Sequence, residues 1–201
     1  MLTLYHAPRT RASRFIWLLE EIGEPYEIKT VPIREKGDHS AFMAEYRLIH
    51  PHGKVPALQH NGETIFESAA IALYLTDAFP KANLGPKVGE KGRGEYLTWL
   101  AYYAGVMEPA FLSKAQGFEI KNRAQAGWAP SDEVLAYLAG ALKRGPYLLG
   151  EKFSAADVIY GSSLALFMGS PLLTGPERFK PYVDRLVERP AYKRAQAKEA
   201  A

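Results

Sequence analysis

The segment from Pro80 to Gly94, PKANLGPKVGEKGRG, divides the chain into two stretches that read differently, and this division restricts the possible folds more than any other feature. Its Gly, Pro and Lys content, with few large apolar groups, is that of an exposed linker between domains. Before it, short β-favouring runs alternate with helical stripes. Beyond it nothing reads as a strand: the pattern is helical over Glu95–Leu112, Ser131–Lys143, Ala155–Phe167 and Pro181–Glu188, with Gly and Pro between. The expected organisation is an α/β domain over residues 1–80, a linker over 81–94 and an all-α domain over 95–201. With 201 residues, 47% of them hydrophobic, the chain is long enough to bury a core in each half.

The first half can be followed element by element. Residues 2–6, LTLYH, form a short β-favouring run that Ala7-Pro8-Arg9 breaks. A helix beginning near Thr10 or Arg11 follows, its apolar stripe made of Ala12, Phe15, Ile16, Leu19 and Ile22, with Gly23 and Pro25 as the stop. Tyr26–Val31 reads as a second strand, and a β-α-β crossover of this kind is right-handed with parallel strands. A short helix is expected around Ser40–Tyr46. The runs Val55–Gln59 and Thr64–Phe66 flank His60-Asn61-Gly62-Glu63, and Asn-Gly at that point signals an antiparallel hairpin. A helix from about Ser68 to Phe79 ends at Pro80.

Composition removes several functions. Lys and Arg total 25 against 22 Asp and Glu, a formal charge of +3 that is too small and too evenly spread for a nucleic-acid partner. The absence of cysteine excludes disulfides, thiolate metal sites, a Cys nucleophile and a CxxC redox pair, so any thiol chemistry must use a substrate's sulfur. His6, His39, His50, His52 and His60 are scattered, and His50-Pro51-His52 has no third ligand at useful spacing, so no metal is expected. The opening lacks a secretory pattern and no stretch approaches eighteen consecutive apolar residues, which predicts a soluble, cytoplasmic protein without a membrane partner.

Four segments carry chemistry. In HPHGKVPAL, Pro56 opens a strand. If Val55-Pro56 is cis, the backbone N–H and C=O of Val55 face outward, able to pair with a peptide-like ligand; the alternative is an ordinary edge-strand proline. In FESAAI, a strand gives way to a helix. Ser68 and the first N–H groups there suit a carboxylate, and Glu67 suits an ammonium group, against the plainer reading of Ser68 as a helix cap. At Arg9-Thr10-Arg11-Ala12-Ser13-Arg14, a hydroxyl, arginine charge and the helix dipole would together favour a bound thiolate. Thr10 sits where strand yields to helix, Ser13 lies inside the first turn, and Tyr5 on the strand is a third possible donor. The fourth, GEKFSAAD, is a Ser154-x-x-Asp157 capping box preceded by Phe153, with a folding role. Among Trp99, Tyr102, Tyr103, Met107, Phe111 and Trp128 most belong to a core, and some could line an apolar pocket.

Taken in order, LYHAPRTRASRFIWLLEE, HPHGKVPAL, FESAAIALYL and GEKFSAADVIYG resemble segments of the cytosolic glutathione transferases, and the resemblance spans essentially the whole chain. It implies a thioredoxin-like N-terminal domain, an all-helical C-terminal domain, a homodimer, glutathione as co-substrate and transfer of its thiolate to a small hydrophobic electrophile or a peroxide. By the same resemblance, Val55 and a cis Pro56 would pair with the cysteinyl part of glutathione, Glu67 and Ser68 would hold its γ-glutamyl end, and Lys54 would meet a carboxylate. Tyr102, Tyr103, Met107 and Phe111 are candidates for the second-substrate pocket. The chain departs from the family at the thiol, placing Thr10-Arg11 where many bacterial members carry Cys or Ser. Its first helix is similar to a fungal and bacterial subgroup with a Ser-Arg-Ala/Ser-x-Arg pattern. A non-catalytic glutathione-binding module and a glutathione-dependent disulfide oxidoreductase are the alternatives.

Overall fold

The computed structural model describes residues 1–33 and 37–200. The chain forms two compact units, one comprising Met1–Ala82 with the chain from Pro190 onward, the other Asn83–Arg189. The first opens with β1 (Leu2–His6), α1 (Ser13–Ile22), β2 (Glu27–Thr30), α2 (Ser40–Tyr46), β3 (Ala57–His60), β4 (Glu63–Phe66) and α3 (Ser68–Ala78). Its four strands lie in the order β2-β1-β3-β4. β1 runs parallel to β2, and β3 runs antiparallel to both β1 and β4. The mixed sheet with its helices, followed by a helical part, agrees with the expected fold class. Asn61 and Gly62 both have left-handed backbones, at φ 50° and 82°, which the tight β3–β4 turn requires.

Helix α1 begins two to three residues later than the apolar stripe implies. The Thr10 hydroxyl donates to the Ala7 carbonyl at 2.6 Å and accepts the Ala12 N–H at 3.1 Å, closing a local turn that competes with helix. From Ser13 the helix buries Phe15, Ile16, Leu18 and Leu19 completely or nearly so, each stabilising by about 1.5–3 kcal/mol. Left-handed Gly23 ends it by donating its N–H to the Leu19 carbonyl at 2.9 Å.

The second unit contains α4 (Arg93–Tyr102), α5 (Glu108–Ala115), α6 (Ser131–Ala141), α7 (Ala155–Phe167) and α8 (Lys180–Val187). A single helix was expected over Glu95–Leu112; instead a π-helical turn, Tyr103–Met107, joins α4 to α5. Pro109 accounts for it: proline has no N–H for the carbonyl of Gly105 four residues back, and its ring crowds that carbonyl. The core here is aromatic, with Trp99 edge-on to Tyr160 at 5.4 Å and the Tyr160 hydroxyl bonded to the Trp99 carbonyl at 2.9 Å. The capping box at the start of α7 forms as expected, and Phe153 packs edge-on to Tyr147 beneath the Arg189 guanidinium.

A last helix, α9 (Pro190–Ala200), packs on α1 within the first unit. The expectation had placed these residues in the helical domain. Their attachment is aromatic and ionic: Trp17 meets Tyr192 edge-on at 5.0 Å, and Glu20 accepts from Arg194 at 2.8 Å, Lys198 at 2.5 Å and the Tyr26 hydroxyl at 2.8 Å. Among the described residues no helix is long and apolar enough to cross a membrane.

Candidate functional site

The sheet register gathers three of the four sequence segments at one edge. Tyr5 is opposite Ala57 and Ala57 is opposite Phe66, so the C-terminal end of β1, the start of β3 and the end of β4 are neighbours. From these ends issue the Arg9–Ser13 turn, the Lys54-Val55-Pro56 segment and Glu67-Ser68. Strands lie about 4.8 Å apart, so the three exits span about 10 Å, the length of an extended tripeptide.

At the middle exit, Val55-Pro56 is cis, as the first of the two readings of this proline anticipated. Val55 stands outside the β3 ladder, which begins at Ala57. The Tyr46 hydroxyl donates to the Lys54 carbonyl at 2.7 Å and fixes the approach to the turn, while the Lys54 side chain lies in the open. Gly53 is left-handed at φ 59°, a backbone region that favours glycine, and a β-carbon there would lie 2.9 Å from Met43 Cε, the tip of a flexible side chain.

At the β4 exit, Glu67 is held at φ 71°, ψ 128°. A non-glycine residue in the left-handed region is strained by about 1–3 kcal/mol and persists where its surroundings over-determine it. The conformation turns the chain abruptly into α3. No side chain caps α3, and the Ser68 hydroxyl has no partner among the described residues. The first N–H groups of the helix are therefore left without a side-chain cap at the positive end of its dipole. Buried His50 lies tilted against the Phe66 ring at 5.0 Å, and its Nδ1 accepts the His52 N–H at 3.2 Å. Burial pushes the His50 pKa down, with Glu67 pulling the other way. In the sequence His50 stands out only as a histidine beside His52 without a third metal ligand, and the fold is what brings it near Glu67.

The thiol-site candidates separate. Thr10 is half-buried with its hydroxyl at the mouth of the turn, and Arg11 is exposed beside it. Ser13 faces α9, where its hydroxyl donates to Glu199. Tyr5 packs in a cluster with Val31, Tyr46 and Ala57, and its hydroxyl donates to Gln59 Oε1 at 2.8 Å. Of the three hydroxyls, Thr10 is the one bonded, among the described residues, only to its own turn.

In the second unit, Tyr103, Met107 and Phe111 are 1%, 1% and 5% exposed. The Tyr103 hydroxyl is taken up by Glu108 and Ser163, and Phe111 stacks on Phe167 at 5.1 Å. These three act as core. Tyr102, half-buried against Trp99 and Tyr137, keeps some surface.

Models of the glutathione S-transferase N-terminal and C-terminal domains match residues 1–77 and 121–193 respectively. Glutathione S-transferase GstA of Escherichia coli O157:H7 is 28% identical over 178 residues, which cover 86% of each chain. The structure of a glutathione transferase from Methylococcus capsulatus str. Bath superposes with a TM-score of 0.82 at 27% identity, covering 100% of this chain and 99% of its own. A sphingomonad glutathione S-transferase solved in complex with glutathione gives a TM-score of 0.75 at 26% identity over 98% of each chain. With both domains matched in order and the strand exits arranged around one sheet edge, the chain belongs to the glutathione S-transferase family.

Proposed function

We propose that this protein is a glutathione transferase that binds the tripeptide along the sheet edge and activates its thiol at Thr10. The observation that carries the reading is the uncapped N-terminus of α3 behind left-handed Glu67, set by strand register beside the cis Val55-Pro56 turn. The γ-glutamyl carboxylate is received by Ser68 and the α3 N–H groups and its ammonium by Glu67. The Val55 backbone pairs with the cysteinyl residue as an added strand would, and Lys54 is placed to meet the glycyl carboxylate.

A free thiol has a pKa near 8.5, so making the thiolate the major form at neutral pH needs a shift of about two units, or about 2.7 kcal/mol. A charge-assisted hydrogen bond supplies about 1.5–3 kcal/mol and a helix N-terminus about 0.3–1 kcal/mol more. Thr10 can donate that bond by turning its O–H from the Ala7 carbonyl, which forfeits a neutral bond worth about 1 kcal/mol net. Arg11 adds positive charge. The thiolate then attacks a small hydrophobic electrophile and displaces its leaving group, or cleaves the O–O bond of a peroxide, with a second glutathione closing the cycle as glutathione disulfide. In this reading the protein works as a cytoplasmic homodimer, as the family resemblance implies.

The test is turnover with glutathione against a panel of aryl halides, epoxides and organic peroxides. Rates no higher than the uncatalysed ones on all of them would refute transfer. The cysteine-free sequence favours one second reading: two glutathione molecules reduce a disulfide and leave as glutathione disulfide. Reduction of a mixed disulfide with no conjugation would select it.

A further inference from the structure

Glu199, near the end of α9, reaches back to the turn that carries Thr10. Its Oε1 accepts the backbone N–H of Arg9 at 2.8 Å and the Ser13 hydroxyl, and lies 3.7 Å from Nε2 of His6. Arg9 and Ser13 bracket Thr10 and Arg11 on both sides. The carboxylate is only 14% exposed, which strengthens its bonds relative to a surface pair.

Two features make these contacts more than incidental packing. Arg9 is left-handed, at φ 55°, a conformation that costs a non-glycine residue about 1–2 kcal/mol. Its N–H is held by Glu199, and the direction in which the chain leaves Arg9 sets where Thr10 stands. Ser13, Trp17 and Glu20 also fall at i, i+4 and i+7 on α1, the face that meets α9. The Ser13 hydroxyl is thereby turned to α9, and Thr10 alone is left at the sheet edge. His6 beside the carboxylate is buried, and its two ring nitrogens have no hydrogen-bond partner among the described residues.

We propose that Glu199 is a positioning residue for the thiol site, acting through Arg9 and Ser13 to hold Thr10 where its hydroxyl can reach the glutathione sulfur. The inference rests on the assignment of Thr10 above. It makes α9 part of the machinery through the geometry of one acceptor oxygen, with no contact to substrate.

The experiment follows the thiolate absorbance of bound glutathione against pH, together with kcat and KM, in full-length variants. Glu199→Ala is expected to raise the pKa of the bound thiol by about one unit and to lower kcat about 10- to 100-fold, the scale of a small misplacement of a reacting group, with KM for glutathione changed less than about threefold. Glu199→Gln keeps an oxygen that accepts both bonds and stays within about threefold of the parent. Arg194→Ala loosens the same helix pair elsewhere, lowering Tm without moving the thiol pKa. Ser13→Ala removes one contact and shifts the thiol in the same direction by less; it carries the test if Glu199→Ala does not fold. A thiol pKa unmoved in Glu199→Ala or, failing that, in Ser13→Ala, while Thr10→Val moves it, overturns the inference and leaves the thiol site standing. If Thr10→Val also leaves it unmoved, the thiol-site assignment falls and this inference with it. Glu199→Gln as impaired as Glu199→Ala overturns it too, because charge rather than acceptor geometry would then be responsible.

Discussion

Asp157 offers the sharpest test of what holds the helical unit together. The residue is fully buried, and its carboxylate accepts four hydrogen bonds: from the Leu148 N–H at 2.9 Å, the Ser154 N–H at 2.8 Å, the Ser154 hydroxyl at 3.0 Å and the Tyr182 hydroxyl at 2.9 Å. One side chain thus joins the loop before α7, the α7 cap and helix α8. Burial pushes its pKa up, opposed by these donors. Asp157→Ala strands two backbone N–H groups that cannot turn away, each costing about 1–3 kcal/mol, while the two hydroxyls can rotate towards other acceptors. The expected loss is about 4 kcal/mol, against a total stability of about 5–15 kcal/mol for a native protein. With a urea slope of about 2 kcal/mol/M, the unfolding midpoint falls by about 2 M. Asp157→Asn keeps one oxygen and is expected to lose about half as much, and Ser154→Ala about 1 kcal/mol. A midpoint shift below about 0.5 M for Asp157→Ala, with an unchanged slope, would show that the four bonds are not what fixes this corner of the unit.

Other outcomes follow from the site and the core. Thr10→Val is expected to lower kcat about 100-fold and Thr10→Ser to retain most activity, since the hydroxyl and not the methyl does the work; steady-state kinetics distinguish them. Ser68→Ala should weaken glutathione binding about 10-fold, read by calorimetry, with thermal stability little changed because the hydroxyl caps nothing. A β-carbon on Gly161 would lie 2.2 Å from Leu186 Cδ1, so Gly161→Ala should cost about 1–3 kcal/mol by overpacking α7 against α8, measured by thermal unfolding. Burial pushes the Glu20 carboxyl up, but hydrogen bonds from Lys198, Arg194 and Tyr26 outweigh it and hold its pKa at about 2, below the ordinary 4.5. That contribution is complete above pH 4.5 and disappears as pH falls towards 2. With Arg194 and Lys198 half exposed it amounts to about 1 kcal/mol, and Glu20→Gln should flatten the acid limb of the stability curve correspondingly.

The parts legible in the sequence were those governed by local chemistry. Asn61-Gly62 marks its turn because both backbones must be left-handed, Gly23 stops α1, and the Ser154–Asp157 box announces the start of α7. What stayed hidden depends on distant partners. Helix α9 lacks a clear apolar stripe because it meets α1 through small Ala191 and Ala195, through Tyr192 on Trp17, and through Arg194 and Lys198 on Glu20, groups that read as solvent-facing. The left-handed turns at Arg9 and Glu67 are invisible because neither residue prefers that conformation; the fold imposes it. The aromatic residues between Trp99 and Phe111 could not be divided into core and surface, since the π-turn at Tyr103–Met107 rotates the following helix out of the phase that periodicity assumes.

The return of α9 to α1 also bears on how the protein is made. Trp17, Glu20 and the Arg9–Ser13 turn leave the ribosome before the helical unit, but the helix that covers them is synthesised after it. Domains commonly fold in order as they emerge. Here α1 precedes the helical unit and α9 follows it, and a nascent chain halted before Pro190 leaves open the face of α1 that α9 covers.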